Sequence, residues 1–317
     1  MIDADDLARA DAALQCGQLV GMPTETVYGL AGDATDQQAV AAIFAAKGRP
    51  RFDPLIVHVA DPEAAWNVAV RDPLAEILAR TFWPGPLTLV LPRTEVIGDL
   101  VTAGLPTVAV RCPDHPLARA LIRAAGRPLA APSANRFGAL SPTCAADVQG
   151  QLGPAVALVL DGGPCRVGLE STIVRTQPEP IILRPGGISR EALEQALGRP
   201  VAVADRSGRA AALPPEAPGM LASHYAPRTP LVLRQGPWPG TADCALLAFT
   251  GQDLPTTAQA VEILDPEGRL ERAACRLFAA LRRLDASGAA RIVAETVPDE
   301  GLGLAINDRL RRAAGMG

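Results

Sequence analysis

Short apolar runs alternate with amphipathic stretches over the first 200 residues of the chain. Extended segments are expected at 18–22, 55–60, 87–92, 107–111, 128–132, 156–160, 171–175 and 181–184, where the runs are bounded by Gly, Pro or polar positions. Helices are expected at about 3–16, 36–46, 62–81, 114–125, 143–152 and 189–197, several opened by Asp, Ser or Pro. Helices and strands interleaved in this way predict an α/β domain around a twisted mixed sheet. No repeat of solenoid length interrupts the pattern.

From residue 202 the periodicity disappears. "AVADRSGRAAALPPEAPGMLASHYAPRTP" (202–230) is rich in Pro and small residues and reads as a linker. Beyond it, apolar runs at 231–234, 244–249, 260–264 and 291–295 and helical patterns at about 267–286 and 303–314 predict a second, smaller α/β unit, expected as a three-layer Rossmann-like sandwich. The expected organisation is therefore a first domain over 1–204, a linker over 205–230 and a second domain over 231–317.

Apolar residues make up 48% of the 317, enough for two cores, and no apolar run reaches the ~18 residues of a membrane span. The start, "MIDADDLARADAAL", is acidic and unlike a signal peptide. Six cysteines are scattered without a C-x-x-C, and His58, His115 and His224 are far apart, so neither a zinc site nor a disulfide scaffold is expected. A cytoplasmic protein without a membrane or a protein-held metal is the expectation. A net charge of −4 gives no general footprint for nucleic acid. Of 30 basic residues, 29 are Arg, and Lys47 is the single lysine. Codon bias accounts for the arginines but not for the exception, since a slim ammonium suits a tight site that a planar fork does not.

Several stretches place polar groups where a core pattern would not. Thr24, Glu25 and Thr26 in "MPTETVYGLAGDA" (22–34) cluster at the end of a strand, where open α/β sheets bind ligands. In "AAKGRPRFDPLIVHV" (45–59), Lys47 and Arg49 leave a helix through Gly48 as an anion clamp would. His58 lies inside an apolar run, a setting more common for a core histidine. Arg111 ends the alternation "VAVR" and needs an anion, either an internal carboxylate or a substrate carboxylate. In "AAPSANRFGALSPT" (130–143), Ser133 and Asn135 fall on one side of an extended chain stiffened by prolines. Gly-rich "DGGPCRVGLESTIVR" (161–175) and "ILRPGGIS" (182–189) allow backbone N–H groups to approach a ligand. Walker and dinucleotide fingerprints are absent, as are local signatures of a Ser-His-Asp or Cys-His nucleophile.

"PTETVYGL", "KGRP", "PLIVHV", "WPGPLTLVL", "VAVRCP", "APSAN" with "SPT", "DGG" with "ESTIV", and "LRPGGI" follow one another in the order found in the YrdC-like family. Together with the tail "APGMLASHYAP" and a further α/β domain, the chain resembles that family's long form, the L-threonylcarbamoyladenylate synthases. The resemblance implies a twisted α/β domain with a large concave cavity. It also implies condensation of L-threonine, bicarbonate and ATP, with Mg²⁺, into threonylcarbamoyl-AMP and pyrophosphate. The product would pass to a tRNA threonylcarbamoyl transferase complex that makes N6-threonylcarbamoyladenosine at position 37. By the same resemblance Lys47, Arg49, Ser133 and Asn135 form a catalytic tetrad, and Thr26, His58, Arg111, Ala131 and Ser171 a threonine pocket. Lys47, Arg49, Asp53, Thr107, Ser133, Asn135, Ser141 and Arg184 are implied contacts to ATP, with His224 or Tyr225 reaching back from the linker. Residues 218–227 are expected to act as a lid. Two rivals remain at this point. One is an RNA-binding YrdC-like module without synthase activity, weakened by the acidic charge and 3% aromatic content, which also argue against strong direct nucleic-acid binding. The other is the carbamoyl-transfer module of hydrogenase maturation, whose acylphosphatase and zinc-finger segments are missing.

Overall fold

The computed structural model describes residues 4–204, 225–239 and 242–316. The first unit runs α1 (Ala4–Gln15), β1 (Val20–Met22), β2 (Gly29–Asp33), α2 (Gln37–Lys47), β3 (Ile56–His58), α3 (Pro73–Phe82), β4 (Leu87–Pro92), α4 (Asp99–Thr102) and β5 (Thr107–Arg111). It continues through α5 (Pro116–Ala125), β6 (Leu129–Ala130), α6 (Ala145–Leu152), β7 (Leu158–Val159), β8 (Thr172–Arg175), β9 (Ile181–Arg184), α7 (Arg190–Leu197) and β10 (Ala202–Val203). The second unit comprises β11 (Leu231–Leu233), β12 (Cys244–Ala248), β13 (Ala260–Ile263), α8 (Leu270–Asp285), β14 (Arg291–Ala294) and α9 (Gly303–Ala313).

The first sheet is mixed, in the order β10-β9-β8-β4-β5-β3-β6-β2-β1-β7. Its centre pairs β5 in parallel with β3, setting His58 opposite Arg111, and β3 antiparallel with β6. Two functional side chains thus share one register position. Strand β2 was not expected. "GLAGD" carries no alternation because Gly29 and Gly32 sit where neighbours crowd the backbone: a Cβ on Gly29 would lie 3.1 Å from Ala131 Cβ, and one on Gly32 would lie 3.0 Å from a Leu19 methyl. The single helix expected over 62–81 is broken into a 3₁₀ turn at Glu63–Asn67 and α3. Pro73 disfavours helical backbone at the residue before it, and Asp72, extended, caps α3 by accepting from the Leu74 and Ala75 N–H groups.

The second sheet is wholly parallel, in the order β11-β14-β12-β13. Helices α8 and α9 cover the face carrying Ala245, Leu247, Ile292 and Ala294. The other face, with Cys244, Leu246 and Val293, is covered by Trp238, Leu254 and Ala258 from loops. Its outer layer is therefore irregular chain instead of the expected third layer, because "TGQDLPTTAQ" between β12 and β13 lacks any helical period. The two units are joined by packing: Val27, Leu140 and Leu169 of the first lie in one apolar cluster with Tyr225 and with Leu277 and Phe278 of α8. Gly168, at φ +74°, lets its loop lie against α8, where a Cβ would come within 2.5 Å of Cys275 Cα.

Candidate functional site

The strand ends and loops around β2, β3, β5 and β6 open onto one narrow cleft. Its walls carry Thr24, Thr26, Arg49, His58, Arg111, Ala131, Ser133, Glu170, Ser171, Arg184 and Tyr225, contributed by segments spread over 200 residues of sequence.

At one end Arg111 leaves β5 with its side chain buried. Its Nη2 pairs with Glu25 Oε1 at 2.7 Å, its Nη1 donates to Thr26 Oγ1 at 2.9 Å and its Nε to the Gly85 carbonyl at 3.2 Å. The anion that the strand position demanded is thus Glu25, a carboxylate with no exposed side-chain surface. Thr24 Oγ1, 2.8 Å from Thr26 Oγ1, donates to the Val27 carbonyl and fixes the turn. His58 faces the same space. Burial, with Arg111 beside it, pushes its pKa down to about 3, so the ring is neutral near pH 7. Ser171 Oγ is 2.7 Å from Thr88 Oγ1 and accepts from Arg184 Nη2 at 3.2 Å.

The other end differs from the expected clamp. Lys47 is 3% exposed and lies behind the wall, and its Nζ donates to the backbone carbonyls of Ser133 (2.5 Å) and Asn135 (2.6 Å). Burial, helped by the Arg49 charge, holds its pKa well below the usual lysine value. Asn135 also points away from the cleft: its Nδ2 donates to the carbonyls of Arg136 and Ala139, closing its own loop. Of the expected tetrad, Arg49 and Ser133 line the cleft, while Lys47 and Asn135 build the loop that presents Ser133. Asp53 is fully buried as the partner of Arg49, with Oδ1 2.9 Å from Nη2, so its carboxylate serves that arginine and does not line the cleft. Arg49 also donates to the carbonyls of Asp53 and Pro54. Thr107, at the far end of β5 from Arg111, and Ser141, which donates to Glu170, likewise stand outside the lining. His224 lies outside the described residues.

Tyr225 does reach the cleft. It is 1% exposed and sits at φ +61°, left-handed backbone that costs a bulky residue on the order of 1–3 kcal/mol and that surrounding contacts must offset. Those contacts include the Phe278 ring, 5.9 Å away between centroids, and the Arg309 guanidinium, 4.7 Å from its own centroid. Glu170 and Arg309 were not anticipated. Glu170 belongs to "GLEST" in the Gly-rich stretch, and a Cβ on Gly186 would lie 2.3 Å from its carbonyl, so the "RPGG" loop can approach it only as glycine. Arg309 is one arginine among 29, but it falls with Ala305, Ile306, Leu310 and Ala313 on the buried face of α9, an apolar stripe in which a charge is a signal.

Residues 12–186 match the family model Sua5–yciO–yrdC, described as telomere recombination, and residues 188–315 match that described as threonylcarbamoyl-AMP synthase, C-terminal domain. A threonylcarbamoyl-AMP synthase of Bacillus subtilis is 42% identical, over 98% of this chain and 93% of its own length. Another, from Schizosaccharomyces pombe, is 37% identical over 93% and 84% respectively. The crystal structure of Pyrococcus abyssi Sua5 complexed with L-threonine matches with a TM-score of 0.88 at 40% identity, covering 98% of this chain and 94% of that one.

Proposed function

The chain belongs to the Sua5/YrdC family in its two-domain, threonylcarbamoyl-AMP synthase form, and on that premise we propose how its cleft joins L-threonine, bicarbonate and ATP. The observation that carries the reading is a single cleft with two unlike ends. Arg111 has five N–H donors, of which three meet Glu25, Thr26 and Gly85, leaving two for an amino-acid carboxylate. Thr26, neutral His58, Ala131 and Ser171 would shape the rest of a threonine pocket. Arg49, Ser133 and Arg184 would receive the phosphates and sugar of ATP, with Tyr225 covering them.

In the proposed sequence bicarbonate loses hydroxide to give CO₂, the threonine amine attacks that CO₂, and the proton released from nitrogen leaves with the hydroxide as water, giving a carbamate. A carbamate oxygen then attacks the α-phosphorus in line, and pyrophosphate departs with the electron pair of the broken P–O bond. Arg49 and Arg184 offset charge that grows on the phosphoryl oxygens, held in place beforehand by Asp53 and Ser171. Lys47 contributes indirectly, by fixing the Ser133 loop. A closed Tyr225 keeps water from the carbamate and from the mixed anhydride. Mg²⁺ would arrive with ATP. The carboxylates of Asp53 and Glu170 are paired with Arg49 and Arg309, and the metal would add to the arginines' offset of phosphate charge. The product would be consumed by a tRNA threonylcarbamoyl transferase complex.

Labelled bicarbonate, threonine and ATP test the reading directly. Threonylcarbamoyl-AMP should appear by mass with stoichiometric pyrophosphate, and only when all three substrates are present. Pyrophosphate without the labelled product, or product formed equally from other amino acids, would overturn it.

A further inference from the structure

Behind the cleft wall, one charged side chain of the second unit meets two residues that line the cleft. Arg309 of α9 has no exposed side-chain surface. Its Nε donates to Glu170 Oε2 at 2.8 Å, its Nη2 to the Pro185 carbonyl at 3.0 Å, and its Nη1 pairs with the neighbouring Asp308. The face of the same guanidinium lies 4.7 Å from the centre of the Tyr225 ring. Glu170 takes its second hydrogen bond from Ser141 Oγ and lines the cleft beside Ser171. One planar group thereby touches three segments at once: the "GLEST" stretch, the "RPGG" loop and the end of the linker.

We propose that Arg309 is a positioning residue of the synthase cleft, through which the second domain holds Tyr225 shut and fixes Glu170 against the site. The assignment rests on the reading of the cleft as the threonine and ATP site. A guanidinium can pair edge-on with a carboxylate while its face stacks on an aromatic ring; an ammonium at the end of a flexible stem cannot do both. The buried pair is also held ionised: burial works to raise the Glu170 pKa, but the charges of Arg309 and Arg184 outweigh it and leave it below the usual carboxylate value. Tyr225 sits in left-handed backbone, with Phe278 and Arg309 of the second domain both against its ring. Weakening one of them should release it.

The test uses the full-length protein with Arg309→Lys and Arg309→Met. Nitration of tyrosines by tetranitromethane, read by peptide mass, needs no turnover, and the chain has two tyrosines. Tyr28, fully buried in the first domain, reports global unfolding, while Tyr225 reports the clasp. In the variants Tyr225 should be nitrated at least tenfold faster than in the wild type with Tyr28 still protected. The fraction of consumed ATP recovered as intact threonylcarbamoyl-AMP should fall about tenfold, with AMP rising and the threonine KM within about threefold. Tyr225→Ala added to Arg309→Lys should cause no further loss, because the two act as one unit. Equal protection of Tyr225 in wild type and variants, or losses that multiply in the double variant, would overturn the proposal. Joint exposure of Tyr28 and Tyr225 in Arg309→Lys would do so too, by making Arg309 a general structural residue. If the wild type made no threonylcarbamoyl-AMP while Tyr225 alone was released in the variants, the reading of the site would fall and the clasp would stand.

Discussion

Replacing Arg111 by Met should expose two separable consequences of one side chain. The first concerns stability. Glu25, with no exposed side-chain surface, would be left as a buried carboxylate whose charge partner at 2.7 Å has gone. Breaking a buried pair in this way costs about 3–5 kcal/mol, most of it the penalty of the stranded charge. Arg111→Met combined with Glu25→Gln removes that charge, so most of the loss should be recovered. The second consequence concerns substrate. A charge-assisted contact to the threonine carboxylate is worth roughly 1.5–3 kcal/mol, about 10- to 150-fold in KM. That loss should persist in the double variant, where stability is restored, and the KM for ATP should change little. Urea titration and steady-state pyrophosphate release on both variants measure the two effects. A single variant as stable as the wild type, or a double variant no more stable than the single, would refute the Glu25 account. Parallel rises in both KM values would refute the carboxylate role and leave Arg111 a structural residue.

Lys47→Arg should lower turnover at least tenfold although the charge is kept. The ammonium fits between two carbonyls at 2.5 and 2.6 Å, and a guanidinium there would force the Ser133 loop outward at a cost of about 1–3 kcal/mol; near-normal turnover would contradict this. His58 should stay neutral down to about pH 4 in an NMR titration of its ring, and a midpoint near 6 would contradict its burial. An unfolded chain takes up this proton near 6.5 and the folded one only near 3. The neutral ring's contribution to stability is therefore complete above pH 6.5. It declines by up to about 1.4 kcal/mol per unit as the pH falls toward 3.

The strands legible in the sequence were those whose own side chains decide their state. Residues 87–92, 107–111 and 181–184 are rich in Leu, Ile, Val and Thr, and the structure places β4, β5 and β9 at those bounds. Strand β2 is the reverse case: its glycines are set by what lies against them, Ala131, Leu19 and Ile43, and no local pattern announces neighbours that come from elsewhere in the chain. The site divides along the same line. Arg111 at a strand end could be recognised as a cation in need of an anion, because strand register alone fixes its burial. Lys47, at the end of α2, and Asn135 show no such signal for where their side chains turn, because their partners are backbone carbonyls, which every residue carries. Arg309 is separated from Glu170 by 139 residues, and only the fold joins them.

Three arginines in and behind the cleft wall share a feature that bears on how an acidic chain would bind ATP and an amino-acid carboxylate. Arg49 is paired with Asp53 and Arg111 with Glu25, while Arg309 behind the wall is paired with Glu170. Each of these three cations therefore has its counter-charge before substrate arrives, which spares the interior the cost of three stranded charges. What remains is a set of N–H donors whose directions are locked by a carboxylate on one side and by backbone carbonyls such as Gly85 and Pro54 on another. Donors fixed in this manner do not reorganise as charge moves from carbamate to phosphoryl oxygen, and that is where preorganisation lowers a barrier. The same arrangement makes each carboxylate a control on its arginine. Asp53→Asn would leave the Arg49 charge in place but free its fork to turn, so phosphate affinity should survive better than turnover. Tighter or unchanged ATP binding together with a fall in kcat is the pattern that separates orientation from attraction as the role of these pairs.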